Sequence, residues 1–292
     1  PHTILVSRLG FQTQQVVLAG RDAESLHVTL RPTAETLPEV VVRTMDPREL
    51  LRQAIRKIPS NYGKAPELYH CFYRETAMKQ QRFIYVAEGV VDMYKTAYGE
   101  GNAQDRVAIV KGRRLLSPRQ GDTLGIKVMG GPVQPVQLDI AKNTVFLLND
   151  ETLAYYDLAL ESSAYINDRL QFVVRLAPRT EESPIALYRG KLYIDQESLA
   201  FTRAELSLDM NDREKATRYM LVRKPFGVRF KPKELSCLID YRTENGTTYL
   251  SYIRNTFRFD CDWKRRLLAT SFTACCEMVV TDKIRDGVHP IH

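Results

Sequence analysis

The chain has 292 residues, 44% of them hydrophobic, enough for one large core or two modest ones. Its formal charge of +7 is spread along the chain, with only short dense groups such as Lys111-Gly112-Arg113-Arg114 and Lys264-Arg265-Arg266. No helix–turn–helix, zinc-finger or RNA-binding signature accompanies them, so no nucleic-acid partner is expected. Apolar runs such as Val145-Phe146-Leu147-Leu148 fall far short of the roughly 20 residues that cross a bilayer.

In chain order, residues 3–9 and 12–18 alternate as strands around a Gly10-Phe11 turn. Ser25–Arg31 places Leu26, Val28 and Leu30 on one face, and Pro32 and Pro38 punctuate an extended linker. These first 44 residues are too few to bury a core alone. Asp46-Pro47-Arg48-Glu49 then supplies an N-cap, a proline at the first helical position and a Glu placed to complete a capping box. Leu50, Leu51, Ala54, Ile55 and Ile58 form one stripe, so the spacing predicts a helix over 47–58, stopped by Pro59.

From Glu67 onward the chain reads mostly as strands, and the whole chain's 15 Tyr and 11 Phe against one Trp agree with that. Asn167-Asp168 and Asn245-Gly246 are hairpin signals, the latter joining strands near 228–243 and 247–260. Leu138–Asn143 and Asn211–Tyr219 fit short helices. In residues 188–211, Tyr188, Leu192 and Ile194 share a face. Gly190 leaves room for close backbone approach, and Asp195–Ser198 turns the chain. Leu206 and Leu208 line the return strand.

Two resemblances rest on these segments. Ser7-Arg8-Leu9-Gly10-Phe11, Leu26–Leu30 and Leu37–Val42 resemble the second half of a carboxypeptidase-regulatory-like domain, a transthyretin-like sandwich common in Bacteroidetes surface proteins. The family's earlier strands are missing, which implies a trimmed N-terminus. The 188–211 hairpin resembles the central hairpins of LolA-like lipoprotein carriers. It also resembles the domain of unassigned function that follows the regulatory-like domain. Cys71–Glu75, Tyr85–Lys95, Val110–Arg114 and Glu277–Asp282 match that second domain too. The resemblance implies a periplasmic or outer-membrane-associated setting. Asp122-Thr123-Leu124 looks like the short Bacteroidetes O-glycosylation motif, with Thr123 as acceptor.

The residues for catalysis are sparse. Three of five His (His2, His289, His292) lie near the termini, no G-x-S-x-G elbow exists, and no Cys sits in a nucleophile motif. His289-Pro-Ile-His292 offers two metal ligands where structural zinc takes four. The five Cys, at irregular spacing, make no disulfide framework, although one bridge is left open; Cys276 shares a face with Phe272, Ala274 and Met278. Glu75, Glu88, Asp92, Asp195 and Glu205 fit cross-strand pairs with Arg74, Arg189 and Arg203 better than a glycosidase pair. Gly99-Glu100-Gly101 and Gly130-Gly131 match no phosphate loop.

The expectation is therefore a mainly β protein with minor α. Residues 1–44 are a partial regulatory-like β-sandwich segment plus linker. Residues 45–292 are a curved antiparallel sheet, or half-barrel, with a packed helix. No enzyme activity, cofactor or metal is expected. The expected role is an exported module acting through outer-membrane protein or glycan contacts. The alternative is a carrier holding a lipid or other apolar ligand against the concave sheet face, lined by Phe72, Tyr188, Leu192, Ile194, Leu206 and Leu208. The same residues suit an ordinary core.

Overall fold

The structure, a computed structural model, describes residues 2–6, 11–18, 26–31, 45–119, 122, 125–179, 183–263 and 269–291. In chain order its elements are β1 (His2–Val6), β2 (Gln14–Leu18), α1 (Pro47–Asn61), β3 (Glu67–Lys79), β4 (Arg82–Lys95), β5 (Arg106–Leu116), β6 (Lys127–Val128), α2 (Gln134–Leu138) and α3 (Asp150–Leu153). There follow β7 (Tyr156–Ile166), β8 (Arg169–Pro178), β9 (Tyr188–Asp195), β10 (Phe201–Leu208), α4 (Arg213–Met220), β11 (Leu221–Arg223), β12 (Val228–Glu244), β13 (Thr247–Trp263) and β14 (Thr270–Ile284).

β1 and β2 pair antiparallel, with His2 opposite Leu18, as the alternation around Gly10-Phe11 predicts. The expected third strand at Ser25–Arg31 is not present over 26–31; a single backbone bond, Gln12 N–H to the Arg31 carbonyl at 2.9 Å, links this stretch to the hairpin. Ser7–Gly10, Leu37–Val42 and Thr123 lie outside the described residues.

Ten strands form one curved antiparallel sheet that does not close, in the order β5-β4-β3-β14-β13-β12-β10-β9-β8-β7. Chain neighbours are sheet neighbours almost throughout. The exception is the connection from β5 to β7, which runs from one edge of the sheet to the other over residues 117–155. The last strand, β14, returns to pair with β3 and so joins the two series. Hairpin chemistry sets the register. Asn245 and Gly246 have φ of 50° and 75°, Asn167 and Asp168 of 49° and 61°, the left-handed pair that tight hairpins need. Between β3 and β4 the same turn is made by Gln80 and Gln81, at 48° and 66°.

The sheet buries one face. Helix α1 starts where Asp46 accepts from Arg48 N–H at 3.0 Å, with Pro47 at its first position. Glu49 does not close a capping box; it bonds Gln53 and Arg56 along the helix instead. The helix runs past Pro59 to Asn61. Proline removes only its own N–H bond here, and Tyr62 N–H still reaches the Ile58 carbonyl. Leu50, Leu51, Ala54 and Ile58 are buried as the stripe predicts. The helices near 138–143 and 211–219 are displaced by a few residues, to α2 and α4.

Candidate functional site

The face on which an apolar ligand was expected is occupied by the chain itself. The crossing segment supplies Ile126, Val136, Leu138, Ile140, Ala141, Leu147, Leu148 and Leu153 to the same core as the sheet. Tyr188, Leu192, Ile194, Leu206 and Leu208 all belong to that core, each at most 3% exposed. Phe72 does not join them. It stands on the opposite face, 39% exposed, because Cys71 and Tyr73 take the inward positions of β3. At Gly190, with φ of 152°, an added Cβ would lie 1.9 Å from the Glu205 carbonyl oxygen, so the close approach expected there is real.

A buried polar network holds the crossing segment down. Lys95 on β4, Asp105 before β5, and Asp139 and Lys142 after α2 have side chains at most 1% exposed. Lys95 Nζ meets Asp139 Oδ2 at 2.7 Å and lies 3.7 Å from Asp105 Oδ2. Tyr98 donates to Asp139 Oδ2 at 3.0 Å and Tyr241 to Oδ1 at 2.8 Å. Lys142 Nζ donates to the Thr96 and Ala97 carbonyls and to Thr96 Oγ1, and lies 3.5 Å from Asp105. Tyr62 stacks on Tyr98, with ring centroids 4.7 Å apart, and donates to the Phe201 carbonyl. Two cations and two anions thus balance. Burial pushes the Lys142 ammonium down to about 8, against the pull of Asp105. Burial, reinforced by the Asp139 charge, holds the Tyr62, Tyr98 and Tyr241 hydroxyls well above their ordinary range. A network this closed to solvent positions the chain.

An apolar pocket of about 460 Å³ lies at the other end of the sheet, between β3, β4 and the segment around β6. Ala77, Ile84, Tyr85, Leu116, Ile126 and Val128 line it, with Glu75 and Asp122 as its acids. Asp122 accepts from Ser117 at 2.6 Å and from Lys79 and Arg82, which hold its carboxyl below the usual range. The volume falls within the range of small-ligand sites.

Among the described residues nothing covers the other face of β3, β4 and β14. Val279, Phe72 and Val90 are cross-strand partners in one row, 38–45% exposed. Near them His70 Nδ1 meets Asp92 Oδ1 at 2.7 Å, a pair the composition of the strands did not signal because it depends on the Gln80-Gln81 register. The other carboxylates are held by neighbours, but of the expected cross-strand pairs only Glu88 with Arg74 forms; Arg189 pairs with Asp209, and Arg203 with Asp240 across the strands. Glu88 pairs with Arg74 and Arg113, Asp195 with Arg169, Glu205 with Arg203 and Tyr193, and Glu75 accepts from Tyr73. Asp195 is a turn anchor. Burial pushes its carboxyl up, but Arg169, at 2.6 and 2.8 Å, and Ser198 prevail and hold it down at about 2. All five Cys are free thiols, and Cys276 is buried beside Phe272 and Met278.

No family model matches the chain, and no curated protein matches it. Among solved structures, one similar chain is a domain described as an outer membrane lipoprotein-sorting protein from Vibrio parahaemolyticus. It is 12% identical, with 83% of this chain and 93% of that one covered, at a TM-score of 0.34. A DUF1329 family protein from Desulfovibrio piger is 10% identical, covering 84% and 96%, at 0.32. A LolA superfamily protein from Nitrosomonas europaea is 12% identical, covering 81% and 95%, at 0.30. Values this low carry nothing about ligand or partner. The class that the geometry itself defines is an open, wide antiparallel sheet covered on one face by its own crossing segment.

Proposed function

We propose that this chain is a non-enzymatic binding module, exported to the periplasm or outer membrane, that acts through contacts with protein or glycan. One observation carries the reading. The sheet face that would receive an apolar ligand is filled by residues 126–153 and closed by the Lys95–Asp139–Lys142 network, while apolar side chains stand uncovered on the opposite face. The exported setting rests on the resemblance of residues 1–44 to a regulatory-like segment and on the Asp122-Thr123-Leu124 motif. Native mass spectrometry tests the role. After incubation with bacterial lipid extract, a native mass equal to the denatured one supports a contact module. A lipid-sized adduct overturns it.

The pocket of about 460 Å³ favours the carrier as a second reading. Filling it with Ala77→Trp then abolishes the adduct. An adduct that survives the substitution places the ligand elsewhere.

A further inference from the structure

Strand β5 ends the sheet. It pairs with β4 from Arg106 opposite Tyr94 to Leu116 opposite Tyr85, and no strand among the described residues takes its other side. Sheet edges are ordinarily blunted by brevity, proline, a covering element or inward charge. This one is 11 residues long, contains no proline, and is solvent-exposed at every position except Val107 and Ala108. The opposite edge is finished differently. Arg48 of α1 donates to the Leu153 and Tyr156 carbonyls beside β7, and most of that strand is half-buried.

The chemistry of β5 narrows what could complete it. Ile109, Val110, Leu115 and Leu116 are 60–64% exposed, so the strand is apolar enough for a sheet interior. Arg106, Lys111, Arg113 and Arg114 are its charges, and it holds no acid. Arg113 is paired with Glu88 at 2.6 Å, and Arg106 turns to the Ala103 and Asp105 carbonyls. Among the described residues Lys111 and Arg114 form no salt bridge. The β4 pairing directs Lys111, opposite Val90, and Arg114, opposite Ala87, to opposite faces. Lys111 shares its face with Arg113 and Leu115, and Arg114 shares the other with Gly112 and Leu116, so each face of an added strand meets a cation without a salt bridge and an aliphatic side chain. A second copy of β5 is the wrong occupant, because antiparallel self-pairing brings the 111–114 cations of two chains together, and like charges directly opposite one another are destabilising.

We propose that β5 is a strand-addition site for an extended, acidic segment of a partner protein, with Lys111 and Arg114 selecting acidic side chains on its two faces. Main-chain bonds supply the docking and the cations supply the preference. The inference rests on the contact-module reading but is tested separately from it, since a lipid adduct is read by mass and strand addition by protection along Arg106–Leu116.

The test uses the full chain and two labelled nine-residue probes. One alternates Glu with Val and Thr; the other replaces every Glu by Lys. Fluorescence polarisation at low salt is expected to show binding of the acidic probe only, weakening as salt rises. Hydrogen exchange is expected to show new protection over Arg106–Leu116. The double variant Lys111→Glu/Arg114→Glu leaves far-UV circular dichroism unchanged, since neither residue holds a salt bridge, and weakens binding at least tenfold. Binding of the acidic probe without protection of β5, or equal affinity for the double variant, overturns the proposal. So does a β5-dependent dimer in sedimentation at micromolar concentration, which would make a second copy the occupant.

Discussion

Two regions of one sheet are finished in opposite ways. From β9 to β13 the inward side chains are sealed. Leu192, Ile194 and Leu206 are at most 3% exposed beneath the crossing segment and α1. At the β5 edge Ile109, Leu115 and Leu116 are 62–64% exposed. The two regions are not separated by composition. RVAIVKGRRLL is as aliphatic as many buried strands, and what differs is whether a second layer lies on it. The crossing segment sits on one part of the sheet and leaves the other bare. Stability should therefore concentrate in the first region, and binding in the second.

The sharpest way to break this comparison is to remove the centre of the buried network. Asp139→Ala leaves Lys95 without its 2.7 Å partner and strips the acceptor from Tyr98 and Tyr241. Breaking a buried ion pair from one side costs about 3–5 kcal/mol, read as a lower urea midpoint. The paired replacement Lys95→Met/Asp139→Leu should recover much of that loss, because no uncompensated charge remains between the two. Equal losses in the single and paired variants would show that the network is not what fastens the crossing segment.

Leu206→Ala comes next. At 3% exposure in the filled region it should cost about 2–5 kcal/mol. A loss well below 1 kcal/mol would mean that the core over β10 is loosely packed, as a ligand cavity would be.

How much of this was legible in the sequence follows from the range of the forces involved. The α1 stripe, the Asn-Gly and Asn-Asp turns and the Gly190 gap are local, and each was placed from its own residues. The Gln80-Gln81 turn was not, because glutamine carries no preference for positive φ; the pairing of β3 with β4 forces it. The network has no local signal for a different reason. Lys95 and Asp139 are 44 residues apart, and Tyr241 lies 102 residues beyond Asp139. In the sequence Lys142 falls in the stretch 138–143 that fits a short helix, with nothing to mark it as buried, and only the edge-to-edge crossing brings it inside. Phe72 lies on the face opposite to the one its sequence suggests because its strand alternates aromatics on both sides, Tyr69 and Tyr73 inward and Phe72 outward, so hydrophobicity alone does not mark the face.

The turn at Asp195 gives a pH-dependent test within the sealed region. Its carboxyl titrates at about 2 in the folded chain against 3.8 ordinarily. It therefore contributes stability that is fully present above about pH 4 and lost as the pH falls through 2. Because Arg169 is half-exposed, the contribution is on the order of 1–2 kcal/mol. Asp195→Asn should lower stability at pH 7 by that amount and flatten the acid limb of urea midpoints between pH 4 and 2. An unchanged acid limb would assign the limb to other carboxylates.

The smallest expected effect is the most telling for the uncovered region. Phe72→Ser removes a ring from the row it forms with Val90 and Val279. At 39% exposure the ring has cross-strand neighbours but no second layer over it, so the loss should stay below about 1 kcal/mol. Leu206→Ala, which deletes fewer atoms, should cost more, and the ratio of the two urea shifts measures how unequally the faces of the sheet are finished. If Phe72→Ser costs as much as Leu206→Ala, the outer row is itself a packed surface, and the division between a sealed face and an uncovered one fails.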